Sequence, residues 1–404
     1  MKRQFALLVA GLVGVLILAG QLARAAPIQV APFPNDSDPY WSWDTRYIAF
    51  DREAASVGSK DVYVVASGHG AQRWLAPTRA RGWRPGGGGI LIEYNASTAI
   101  FTSNGAPLGG VNGLDASWSP DGGRVAYVRG ETLYVSDATG AHERAAFSPV
   151  IRASWDVTGP AWSPDGSRIA VASGASLYSV APDGSQPRLL ATGRNQNVNP
   201  SWSHDGSTIA YESNDDPAAW TIRLVDADGT NARAIANGGW NDRYPQWSPI
   251  GRQLAFVSDR RHEHPLVGGA TFYRFDLYAL RPDDGLLIRL LDDVRPDSPA
   301  RWAPTGGRLA VAAGQECGRW GIYTVESYGG ARRRVSNLCH VNGTTAGDVL
   351  RGGPYYDIIR GFAGRDTIDA RDGQRDLVDC GPGRDVAYVD RLDVTHHCEV
   401  VRRP

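Results

Sequence analysis

Lysine is nearly missing from this chain, standing only at Lys2 and Lys60 while arginine serves everywhere else. The 42 basic residues meet 43 acidic ones, for a formal net charge of −1. A balance that close to neutral lacks the electrostatic footprint of a nucleic-acid binder or an anionic-membrane binder. Cysteine is absent until Cys317, after which Cys339, Cys380 and Cys398 complete the four. None falls in a Cys-x-x-Cys or Cys/His cluster, which weighs against zinc. Long apolar runs are missing too, apart from Phe5 to Ala19. Local catalytic signatures are also lacking: there is no Gly-x-Ser-x-Gly elbow, His-Glu-x-x-His, Ser-x-x-Lys or phosphate loop. That lowers the expectation of an enzyme without removing it, because a site can be assembled from residues far apart in sequence.

The apolar run belongs to a leader. Lys2 and Arg3 precede it and Ala23-Arg24-Ala25 follows, the arrangement of a signal peptide cleaved after residue 25. Export, to the cell surface or beyond, is the expectation, with no stable membrane insertion after cleavage. Loss of Lys2, Arg3 and Arg24 takes the formal charge from −1 to −4. In an exported chain four cysteines suggest two disulfides, of three possible pairings. Cys317–Cys339 and Cys380–Cys398 are favoured because each closes a loop of about twenty residues.

What the chain has in abundance is one repeated pattern. From Gly159 to Leu190 it reads as four short strands with turns at Ser163-Pro-Asp-Gly166 and Pro182-Asp-Gly184. The same grammar returns at Trp43-Asp44, Trp83-Arg-Pro-Gly86, Trp118, Trp202, Trp247 and Trp302, each followed by a strand such as Ile48-Ala-Phe50 or Leu309-Ala-Val311. Intervals near 40 residues with four strands per unit indicate a β-propeller. The Trp-Ser-Pro-Asp-Gly…Ile-Ala-Phe…Leu-Tyr…Asp-Gly motif resembles the WD40-like repeat of the TolB propeller family over residues 36–338. Seven tryptophan starts favour seven blades. Six is the alternative, with glycine-rich residues 80–114 as an insertion. About fifteen residues separate the cleavage site from the first module, so no helical domain is expected ahead of it.

Several residues invite a site. Asp121, Asp165 and Asp205 form a repeating acidic set, but their place in Asp-Gly turns suits a structural role. One tryptophan per blade suits packing between blades better than carbohydrate stacking. His262-Glu263-His264 lies in the longest insertion, Asp259 to Arg274, which is the candidate partner contact within the propeller.

At Asn342 the grammar changes. Units ending Asp348-Val-Leu350, Asp357-Ile-Ile359, Asp366-Thr-Ile368, Asp376-Leu-Val378 and Asp385-Val-Ala387 succeed one another every nine or ten residues. They resemble the RTX (haemolysin-type) nonapeptide, Gly-Gly-x-Gly-x-Asp-x-apolar-x, over about 45 residues. The resemblance implies a short parallel β-roll holding calcium. The five aspartates would supply carboxylates, and Gly352, Gly353, Gly364, Gly373 and Gly383 backbone oxygens. Tyr355 and Phe362 depart from the pattern at glycine positions. Arg365, Arg375 and Arg384 precede aspartates, and their charge is an alternative to metal.

The chain therefore reads as all-β: a signal peptide (1–25), a TolB-like propeller (26–341) and an RTX-like segment (342–404). A monomeric, non-catalytic binder of a protein or glycan at the cell surface is the leading expectation. An extracellular polysaccharide lyase or hydrolase working in the propeller funnel is one rival, and a structural or adhesive surface protein the other.

Overall fold

The computed structural model describes residues 35–404 except 54–59, 68–71, 95, 103–104, 151–158, 216–218, 236–238, 261–265, 268–269, 272–273, 317–318, 331, 337–338, 353–356, 372 and 374–375, with the backbone alone at 266–267, 270–271, 315–316, 319 and 339–340. The signal-peptide residues, His262 to His264, Cys317 and Gly353 therefore lie outside the described residues, and the Cys317–Cys339 pairing with them.

The described residues are strands, turns and irregular segments, with no helix. Seven antiparallel modules of four strands cover Asp36 to Arg334, each with its strands in sequence order, and in the sixth a short hairpin of Leu266–Val267 with Ala270–Thr271 intervenes between the second and third strands. Glycine-rich residues 79–111 form a full module, so the second blade is a blade and the count is seven. A single pairing, Val294 with Ala313, bridges the outer part of blade 6 to blade 7.

One register repeats throughout. The tryptophan ending each innermost strand faces the first apolar residue of the next strand. The pairs are Trp41 with Ile48, Trp83 with Ile90, Trp118 with Val125, Trp162 with Ile169, Trp202 with Ile209, Trp247 with Leu254 and Trp302 with Leu309. This corrects the sequence reading in blade 1. Trp41, 6% exposed, holds the tryptophan position, whereas Trp43 stands 53% exposed in the turn. The motif there is Trp41-Ser42-Trp43-Asp44-Thr45, with tryptophan in the proline place and Thr45 taking the positive φ of 60° that glycine takes elsewhere.

The core sits between blades. Seven separate apolar clusters join blades 1 and 2, 2 and 3, 3 and 4, 4 and 5, 5 and 6, 6 and 7, and finally 7 and 1. In the last, Trp41, Ile48 and Phe50 meet Ala303, Ala310, Ala312 and Ile322. The ring closes on side chains, since each terminal blade draws its four strands from its own contiguous segment. The tryptophan Nε1–H groups add a polar tie. Trp41 donates to Arg301 O (3.1 Å), Trp83 to Tyr40 O (3.1 Å), Trp162 to Ser117 O (3.3 Å), Trp202 to Ala161 O (3.0 Å) and Trp302 to Gln246 O (2.9 Å). Each reaches the innermost strand of the blade before it, so the packing role holds.

The Asp-Gly turns are held as a turn should be. In blade 4, Ser163 Oγ donates to Asp165 Oδ1 at 2.6 Å and accepts Arg168 N–H at 2.9 Å, while Ser167 N–H also reaches Asp165. Asp121, Asp165 and Asp205 are all held below the usual carboxylate range, chiefly by the serine hydroxyl two residues back, Asp205 at about 2. Their acidity serves the turn.

Beyond the ring, two parallel sheets take alternate strands. Cys339–Asn342, Asp357–Arg360, Leu377–Asp379 and Val394–His396 form one. Val349–Arg351, Thr367–Ala370, Val386–Val389 and Val400–Arg402 form the other. Leu350, Ile359, Ile368, Val378 and Ala387, each two residues after an aspartate, fill the space between them. Cys380 and Cys398 are disulfide-bonded (S–S 1.98 Å).

Candidate functional site

Two features gather chemistry. The first is the axis of the ring. The residue just before each tryptophan is half-buried. The tryptophan packs toward the blade before it, so alternation turns this residue to the opposite face of the strand. Going round, these residues are Tyr40, Gly82, Ser117, Ala161, Ser201, Gln246 and Arg301. Six of them, with Arg81 beside Gly82, line a single cavity of about 340 Å³ to which all seven blades contribute. Its wall is lopsided: blades 2 to 5 supply small residues at this position, and blades 6, 7 and 1 supply Gln246, Arg301 and Tyr40.

Upstream, three residues before the tryptophan, Asp38, Asp115, Asn199 and Tyr244 all adopt φ between 49° and 56°. These non-glycine left-handed residues coincide with register breaks in their strands. A bulge of this kind re-aims the side chains beside it.

The charges in the cavity differ in how they are matched. Arg81 sits against Glu93 and 3.3 Å from buried Asp115. Burial works against its charge, and Glu93, Tyr40 and Asp115 outweigh that and raise its pKa. Arg301 has no carboxylate partner among the described residues. Its guanidinium lies over the Tyr40 ring, 5.1 Å from the centroid, with Nη2 3.5 Å from the phenol oxygen. Its Nε is buried without a hydrogen-bond acceptor. Ser117 Oγ already donates to Pro160 O at 2.6 Å, and Ser201 Oγ accepts Trp247 N–H at 3.0 Å. Among the described residues no histidine lines the cavity. A broader groove of about 670 Å³ on blades 5 and 6 is lined by Asp226, Asp228, Arg233 and Arg252. There Asp228 is committed to its own turn through Thr230.

The second feature is the aspartate series of the C-terminal sheets. Asp357, Asp366, Asp376 and Asp385 are at most 1% exposed. They form two files of hydrogen bonds running from coil to coil. Asp348 N–H donates to Asp366 Oδ1 (2.8 Å), Asp366 N–H to Asp385 Oδ1 (2.7 Å) and Asp385 N–H to Glu399 Oε2 (2.8 Å). In the other file Asp357 N–H donates to Asp376 Oδ1 and Asp376 N–H to Asp393 Oδ1, both at 2.8 Å. Asp393 and Glu399, which sequence reasoning passed over, end the two files. Their signal was an acidic residue before valine, Asp393-Val394 and Glu399-Val400, without the glycines.

The second oxygens of Asp366 and Asp385 are buried with no hydrogen-bond donor. Burial, with Asp385 and Asp348 nearby, raises the pKa of Asp366. Buried carboxylate oxygens without a donor fit a hard cation. Among the described residues no three acidic, histidine or cysteine side chains gather as a metal cage, so backbone oxygens would have to supply most of the shell. Gly364 and Gly383 pair across adjacent coils, and Gly352 and Gly373 lie in the corresponding bends. Arg365 and Arg384 make no ion pair with these aspartates among the described residues. Arg371 pairs with Asp369 instead, and His397 Nδ1 lies 2.9 Å from Asp379 Oδ1.

Comparison with known proteins places the fold. Residues 112–267 match the family model described as the TolB beta propeller domain. None of the curated proteins matches the chain. Among solved structures, TolB from Acinetobacter baumannii is similar at 17% identity, over 58% of this chain and 58% of that one, with a TM-score of 0.42. The propeller domain of the Trilobed protease from Pyrococcus furiosus, described as having an open velcro topology, is similar at 11% identity and a TM-score of 0.55. That match covers 76% of this chain and 98% of that one. A puromycin-hydrolyzing peptidase from Mycobacterium tuberculosis is similar at 15% identity and a TM-score of 0.50, over 81% and 63% of the two chains. Identities this low speak to fold alone. The chain is a β-propeller of the TolB type followed by a parallel β-solenoid.

Proposed function

We propose that this is an exported, non-catalytic binding protein whose propeller holds a protein or glycan partner through its axial cavity, with a calcium-stabilised C-terminal solenoid. The observation that carries the binding reading is the state of the cavity's ionisable groups. Among the described residues its lining holds one carboxylate, Asp115, which is tied to Arg81, and no histidine, a set that favours recognition over proton transfer. Arg301, stacked on Tyr40 without a carboxylate partner, and the Gln246 side-chain amide, without a hydrogen bond, both among the described residues, are the groups left to recognise a ligand.

The solenoid would take calcium at Asp366 and Asp385 first, through the buried oxygens that lack donors. Asp348, Asp357 and Asp376, with carbonyl oxygens of Gly352, Gly353, Gly364, Gly373 and Gly383, would serve the neighbouring bends. The ion would supply charge neutralisation between stacked carboxylates.

The test of the binding reading is a capture experiment from the native secretome with wild type and an Ala161→Trp variant that fills the cavity. Wild type should retain a partner that the filled variant loses. Turnover of a polysaccharide by the purified protein, seen as new chain ends, would overturn the non-catalytic reading.

A further inference from the structure

We propose that the axial cavity receives the free C-terminal carboxylate of an extended peptide, clamped by the Arg301 guanidinium where it lies on Tyr40. The inference rests on the binding reading above and names the ligand for the same site.

The argument begins with the imbalance of charge. Arg81 is held by both Glu93 and Asp115, whereas Arg301 lines the same cavity with no carboxylate partner among the described residues. A guanidinium that lines a cavity without a carboxylate partner calls for an anion with two coplanar oxygens, which a carboxylate provides. Stacking on Tyr40 fixes the plane of the fork before any ligand arrives, so little side-chain freedom remains to be lost. Gln246, next to Arg301 in the ring, has a side-chain amide with no hydrogen-bond partner among the described residues. It can serve the one N–H or C=O that a terminal residue presents.

The rest of the wall decides between sources of carboxylate. A uronic acid brings several hydroxyls, each needing a partner on burial. Here Ser117 Oγ and Ser201 Oγ are engaged, and the backbone oxygens of Tyr40, Ser117, Ala161, Gln246 and Arg301 already accept tryptophan N–H groups. Pro160, Pro164 and Pro200 add apolar surface without donors. That wall suits a narrow chain end with one charged tip better than a polyhydroxylated ring.

The experiment uses the full chain and three immobilised probes: a randomised pentapeptide library ending in free acid, the same library ending in amide, and oligogalacturonate. Wild type should retain the acid library about 10- to 100-fold better than the amide, the span expected for a lost charge-assisted pair. Arg301→Gln should erase the preference, and Arg301→Lys, which keeps the charge but not the fork, should restore it only in part. If Arg301→Gln does not fold, Gln246→Ala and the salt dependence of acid retention in wild type read the same contact. Equal retention of acid and amide, or preference for oligogalacturonate, overturns the carboxyl-terminus proposal and leaves the binding reading standing. Retention of no probe, with no partner lost on filling the cavity, overturns both.

Discussion

The Trp202 ring is 8% exposed and its Nε1–H donates to Ala161 O at 3.0 Å, so one side chain supplies both apolar area and a directional tie between blades. The two contributions separate by substitution. Trp202→Phe keeps most of the area and removes the donor, and should cost about 1 kcal/mol in urea denaturation. Trp43→Ala should stay within about 0.5 kcal/mol, because Trp43 touches the turn surface only. A large loss on Trp43→Ala would put the motif register back where the sequence reading had it. That reading failed for a local reason. Trp-Ser-Trp-Asp offers two tryptophans, and only the pairing of Trp41 with Ile48 tells them apart. Asp51 sets a pH test. It is buried, accepts Ala80 N–H at 2.8 Å and lies 3.8 Å from Lys60. Burial, then the charge of Asp38, pushes its carboxyl up to about 7 from an ordinary 3.8. A folded value above the unfolded one means its contribution is complete below about pH 4 and is lost as pH rises through 7. Melting curves from pH 4 to 8 should show wild type losing ground to Asp51→Asn across that window. Parallel curves would mean Asp51 is ionised throughout.

Among the elements, the solenoid was the more legible in pattern and the less so in chemistry. Aspartates nine or ten residues apart, with an apolar residue two later, gave its strands and its core, because both follow from alternation along a strand. That the carboxylates bond amides in the next coil depends on stacking, which spacing alone does not show. The element also has little core of its own, eight buried side chains in one cluster. Reduction of Cys380–Cys398 should therefore make residues beyond 339 protease-sensitive while the ring from 36 to 334 survives. Simultaneous loss of both would show the solenoid to be integral to the ring. Calcium should act on the same element. In hydrogen exchange, millimolar calcium should raise protection in residues 343–390 and leave the propeller unchanged, and Asp366→Ala/Asp376→Ala should abolish the gain. Unchanged protection in wild type would remove the calcium assignment.

For the whole molecule, the seven-fold ring was written plainly in the repeat, whereas the axial cavity was not. Six of its lining residues stand one before a tryptophan, a position that varies from alanine to arginine among them, so a search for sameness passes over the position that differs. Closure was not legible either, since it rests on apolar contact between the first and last blades. That contact is where the ring is most exposed to substitution. Trp41→Ala removes a buried ring from the closing interface and should cost about 3–5 kcal/mol. Calorimetry should show the main propeller transition shifted down as one unit, whereas release of blade 1 alone would show the ring surviving as an open arc.

The alternation of strands between the two solenoid sheets imposes a rule of parity. Cys380 and Cys398 stand 18 residues apart, one full circuit of two units, which returns the chain to the side it left. A single nine-residue unit inserted between them would send Cys398 to the opposite wall, while two units would restore the side but add a strand spacing of about 4.8 Å to the 5.1 Å between their Cα atoms, beyond a disulfide's reach. The bridge thus fixes that stretch at one circuit, and repeats can be added or lost only outside it.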